Sequence, residues 1–198
     1  CPIEFLPRAF FFGMDHTSIA EESLLSLAEK VGKADVVGQI MDRSLSGQLD
    51  FSSSLRQRVA LLKGLEKEVV EELSSDFSIR PGLQEFSQLC QQKLIPVYLV
   101  TGGFKEVAKE VADSLGLNGY CANRFVYQDG KLSGDVMSPM VDTGYKSSWV
   151  EKTCEQLQVG LDSVVSVGDS ANDKMMFEKT GVAVGFDPRS SVWNSIDL

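Results

Sequence analysis

The stretch FFFGMDHTSIAEES, residues 10–23, decides the fold. An apolar run over residues 8–12 closes on Gly13 and reads as a buried strand. Asp15 follows two residues after Gly13, and Thr17 two after that. Spacing by two aims successive side chains at one pocket beyond a strand's end.

Downstream, the period changes. Ile19, Leu24, Leu25, Leu27, Ala28 and Val31 recur at helical spacing, which predicts a helix over 18–31 that stops at Gly32. Asp50 opens a further helix through Leu62, and residues 66–73 form another. No strand pattern lies between 18 and 79, so this block reads as an all-helical insert. Arg80-Pro81-Gly82 then starts a new helix, with proline at an early position. IPVYLVT (95–101) is a buried-strand pattern, followed by a glycine turn into an amphipathic helix that ends at Gly116. RFVYQDGKLSG (124–134) predicts a hairpin turning at Asp129-Gly130. A helix over 146–157 and strands over 163–169 and 182–186 complete the chain, with Met175, Met176 and Phe177 as core contacts. Strands alternating with helices imply an α/β fold: a doubly wound parallel sheet, here with an inserted helical cap. The expected division is a core of 1–17 and 80–198, with a cap of 18–79.

The bulk properties narrow the function. The chain has 198 residues and a formal net charge of −9, which argues against nonspecific nucleic-acid binding, since that needs basic patches. No apolar run reaches membrane-spanning length, and the start does not resemble a signal peptide. Cys1, Cys90, Cys121 and Cys154 lack metal-ligand spacing and read as reduced thiols of a cytoplasmic protein. The chain reads as a piece of a longer protein.

In doubly wound sheets, ligands bind beyond the carboxyl ends of the strands. The polar residues there are Gly13, Asp15 and Thr17 after the first strand, and Thr101, Gly102 and Gly103 after the second. Gly168, Asp169, Ser170, Asn172 and Asp173 follow the third, with Lys146 heading a helix between. This set resembles the haloacid dehalogenase superfamily of phosphatases, whose four motifs run in this order: D-x-D-x-T (here GMDHT), a Ser or Thr with glycines (here TGG), a lone Lys, and G-D-x-x-N-D (here GDSAND). Within that superfamily the chain is similar to the phosphoserine phosphatases over nearly its whole length, including the FSSSLRQRVALL segment of the cap.

The resemblance implies roles. Arg58, rather than Arg56, takes a substrate carboxylate, Glu22 pairs with an ammonium, and Phe51 lines the pocket. Thr101, Gly102, Gly103, Lys146 and Asn172 receive phosphate, and Asp173 positions Lys146. Asp15 is the acid/base, and Asp15 and Asp169 serve a magnesium ion. The expected partner is a small phosphorylated metabolite, O-phosphoserine above all. His16, the sole histidine, reads as a local hydrogen-bonding residue. The chain departs from the pattern at Gly13, where the superfamily carries the aspartate that attacks phosphorus and ligates magnesium. Glycine supplies neither function. The chain is expected to keep the pocket with little or no turnover. The alternatives are a catalytically silent phosphoserine binder and a phosphatase or phosphotransferase for another small phosphate.

Overall fold

The computed structural model describes residues 5–198, so Cys1 lies outside it. Strand β1 (Ala9–Phe12) is the middle strand of a five-stranded parallel sheet. Its neighbours are β2 (Val97–Phe104) and β6 (Val164–Gly168), with Phe10 opposite both Val97 and Val165. The outer strands are β3 (Gly119–Asn123), beside β2, and β7 (Val182–Gly185), beside β6. The opening phenylalanines feed both faces, as strand alternation requires. Phe11 stacks on Tyr98 at 5.3 Å and meets Trp149 edge-on, while Phe10 lies 4.9 Å from Phe86.

Those partners mark the two helical layers. Helices α5 (Leu83–Gln92) and α6 (Lys105–Leu115) cover one face, where Leu99, Val107, Val111 and Leu115 cluster. Helices α7 (Thr143–Leu157) and α8 (Lys174–Phe177) cover the other, around Phe11, Val150, Val164 and Met176. Met176 and Phe177 are buried, but Met175 is exposed, contrary to its expected core role.

Four helices lie between β1 and α5: α1 (Ser23–Lys30), α2 (Ala34–Leu45), α3 (Phe51–Ala60) and α4 (Lys67–Ser74). Their apolar faces share a cluster with a distant hairpin, β4 (Phe125–Gln128) and β5 (Lys131–Val136), through Phe125, Leu132 and Val136. The hairpin turns at Asp129 (φ 51°) and Gly130 (φ 75°), the paired left-handed geometry that Asp-Gly favours.

Several expected boundaries move. The helix predicted from residue 18 begins at Ser23, because Glu22 caps it and Ile19 pairs instead with Ile79, bringing the two crossings between core and cap side by side. The glycines at 102–103 form no turn: β2 runs through them to Phe104. Pro81 precedes α5 rather than opening it, because Gly82 stands between them at φ 84°. Strand β3 has no counterpart in the apolar pattern. It is short and carries Gly119 and Asn123 at its ends. No helix among the described residues is long and apolar enough to cross a membrane.

Candidate active site

The carboxyl ends of β1, β2 and β6 lie side by side, so the residues that follow them meet in one cavity of about 230 Å³. The cap roofs it. Gly13, Asp15, Thr101, Gly102, Gly103, Lys146, Asp169, Asn172 and Asp173 line it from the core. Glu22, Phe51 and Arg58 line it from the cap side.

The buried Lys146–Asp173 pair is the firmest contact, with Nζ 2.9 Å from Oδ1 and both side chains under 5% exposed. Asp173 Oδ2 also accepts the backbone N–H groups of Asp169 and Ser170, each at 3.3 Å. The carboxylate thus fixes the lysine on the first turn of α7, whose N-cap Asp142 accepts the N–H of Tyr145. Thr101 Oγ1 accepts the Gly103 N–H at 2.8 Å, which leaves its own hydroxyl proton to donate. Gly102 is required by close approach: a Cβ there would stand 2.6 Å from the Phe51 ring and 2.8 Å from Asn172 Nδ2. Asn172 is held in turn by Thr143 at 3.1 Å.

Asp15 reaches toward the cap. Its Oδ1 accepts the Ser23 N–H at 2.7 Å. Burial holds its carboxyl above the ordinary range, against the pull of Ser23, His16 and Lys146. Glu22 caps α1 through Leu25 N–H (2.6 Å), and its other oxygen lies 3.5 Å from Arg58 Nη1. Burial first, and then the Asp15 charge, push Glu22 up to about 7 despite Arg58. Arg58 is buried at 5% exposure, whereas Arg56 points to solvent, so only Arg58 meets the cavity. His16 holds a left-handed backbone (φ 58°), and its carbonyl accepts Arg80 Nη2 at 2.9 Å. Asp169 is nearly buried. Burial and the Asp173 charge push it up to about 6, opposed by His16, Lys146 and Arg189.

Gly13 has no conformational need to be glycine, since its φ lies outside the left-handed region. A Cβ there would meet Thr17 Oγ1 at 3.2 Å and Gly168 Cα at 3.7 Å, a tight but nearly open position next to Asp169. The same position decides the fit of a magnesium ion, which takes oxygen ligands, carboxylates foremost. Asp173 is committed to Lys146, and one Asp15 oxygen to Ser23. Asp169 remains, with Arg189 Nε 3.6 Å from its Oδ2. Among the described residues no three His, Cys, Asp or Glu side chains gather as a metal site. As it stands, the set offers Asp169 and the second Asp15 oxygen but no carboxylate at position 13, and so fits the ion poorly.

Sequence reasoning missed Arg189, which lines the same cavity. It lies four residues past β7, so collecting the polar residues beyond that strand, as was done for the others, would have found it.

Comparison with known proteins agrees with this architecture. The family described as haloacid dehalogenase-like hydrolase matches residues 10–178. The phosphoserine phosphatase of Methanocaldococcus jannaschii is 33% identical, over 96% of this chain and 90% of the relative. That of Archaeoglobus fulgidus is 31% identical over 92% of this chain, which spans only about half (53%) of the relative's length. A substrate-bound phosphoserine phosphatase complex superposes with a TM-score of 0.92 at 31% identity, covering 97% of this chain and 91% of that one. This chain belongs to the haloacid dehalogenase-like hydrolase family.

Proposed function

We propose that the cavity binds O-phosphoserine and that the chain is a phosphoserine phosphatase-type hydrolase whose covalent step is missing at Gly13. One observation carries this reading. The part-buried Glu22–Arg58 pair and the buried Lys146–Asp173 pair line the same cavity, one from the cap side and one from the core. Phosphoserine has a carboxylate and an ammonium at one end and a phosphate dianion at the other. Arg58 takes the carboxylate through its planar fork, and Glu22 takes the ammonium. Lys146 and the Thr101 hydroxyl hold the phosphate. Asp15, kept protonated longer by burial, donates a proton to the leaving seryl oxygen.

The attacking oxygen is what Gly13 lacks. Loss of a covalent nucleophile removes a factor on the order of 10⁶ in turnover. Water alone then has to attack the bound phosphate, and no side chain at position 13 orients it. Gly13→Asp would add a carboxylate beside Asp169. The two would then hold Mg²⁺, whose charge, when bound, offsets that of the phosphate. The small phosphorylated metabolite remains the expected partner. A cytoplasmic setting suits the three buried unpaired thiols, Cys90, Cys121 and Cys154.

The test is phosphate release from O-phosphoserine with Mg²⁺, for the parent chain beside Gly13→Asp. The expected outcome is a variant that turns over and a parent that does not. If both are folded and bind phosphoserine but neither releases phosphate, the silent-binder reading takes over.

A further inference from the structure

The cavity holds four acids, Asp15, Glu22, Asp169 and Asp173, and a phosphate dianion would add more negative charge. Two of its cations are already engaged, Arg58 with Glu22 and Lys146 with Asp173. Among the other described lining residues, Arg189 carries a permanent charge, and it too faces an acid, Asp169, at 3.6 Å.

Arg189 is built into place. Its backbone N–H donates to the Asp169 carbonyl at 2.8 Å, and its Nε faces Asp169 Oδ2 at 3.6 Å. The segment on either side is tied to the sheet. Phe186 N–H donates to the Gly168 carbonyl, and Val192 is fully buried against the α7–α8 face. Further on, Asp197 N–H donates to the Ala183 carbonyl, and Ala183 N–H donates to Asp197 Oδ2. The Arg189 side chain is 40% exposed. A guanidinium has five donors, and among the described residues only its Nε is recorded against a carboxylate, Asp169, so its outer nitrogens remain for a ligand.

We propose that Arg189 is a phosphate-binding residue and that, with Lys146, it lets this chain hold a phosphomonoester dianion without a divalent cation. The proposal rests on the phosphoserine reading above. It extends that reading by supplying, in place of an ion the side chains fit poorly, a charge the chain carries itself. Arginine suits this role because its fork binds phosphate oxygens in pairs.

Isothermal titration in EDTA, with O-phosphoserine and with inorganic phosphate, tests it. The parent chain should bind both saturably, and added Mg²⁺ should change the affinity little. Arg189→Ala should weaken both ligands by about tenfold or more, and Arg189→Lys should recover part of the loss. Binding that appears only with Mg²⁺ overturns the proposal. So does an Arg189→Ala variant that lowers the melting temperature but keeps the affinity, because the arginine then only steadies Asp169. A loss confined to phosphoserine also overturns it, since inorganic phosphate has no amino-acid end. If neither ligand binds, with or without Mg²⁺, the phosphoserine reading itself fails and takes this one with it.

Discussion

Lys146 shows what a single residue contributes here. It is a lone lysine with no motif around it, and only its order among the other three motifs picks it out of the sequence. The structure gives it a buried carboxylate partner at 2.9 Å. Removing one member of such a pair strands the other charge. Lys146→Met should therefore cost about 3–5 kcal/mol, read in chemical denaturation. Adding Asp173→Asn should restore most of that stability, because the amide needs no counter-charge, yet phosphate affinity should stay lost. A double variant as unstable as the single one would mean the lysine acts by packing its stem. The choice of Arg58 over Arg56 came from the resemblance of its segment to the family's cap, and the structure turns Arg58 inward and Arg56 to solvent. Arg189 was missed only because the residues past β7 were not collected with those past the other strands; its backbone contact with Asp169 is what the structure adds.

Elements were readable where the sequence runs apolar. The runs behind β1, β2, β6 and β7 are apolar because helices or neighbouring strands cover them, and the Asp-Gly turn announced its hairpin. Boundaries set by tertiary contact were not readable. Ile19 looks like the first apolar position of a helix, but it pairs with Ile79, and Glu22 starts the helix instead. Strand β3 was not readable because Gly119 and Asn123 bracket only three residues of it, too few to make an apolar run. The hairpin also exposes a constraint between elements. Gly134 has φ 92°, and a Cβ there would come within 3.2 Å of Lys63 Cβ and 3.4 Å of Ala60 Cα, at the end of α3. Gly134→Val should destabilise by about 2 kcal/mol or more, from backbone strain and overpacking together. Urea denaturation would show it as a lower midpoint, and an unchanged midpoint would mean that α3 and β5 separate freely.

Across the whole molecule, the acidic cavity makes stability depend on pH. Glu22 rises from an ordinary 4.5 to about 7 in the folded state. The folded form therefore holds its proton more tightly, so this stabilisation is full below about 4.5 and fades as pH climbs toward 7. The melting temperature should be higher at pH 5.5 than at pH 7.5, and Glu22→Gln should flatten that difference. A profile equally steep in the variant would assign the effect to other groups. Ligand binding should run the opposite way, strengthening as Glu22 ionises to meet the ammonium. The cap cluster carries a different consequence, one of timing. Helices α1 to α4 share their apolar faces with Phe125, Leu132 and Val136, which lie far later in the chain. On the ribosome the helices emerge first and wait on the order of seconds for the hairpin that closes over them. During that interval their greasy side is open to whatever holds nascent chains, so the slow, vulnerable stage of this protein's birth falls between its fourth helix and its second sheet.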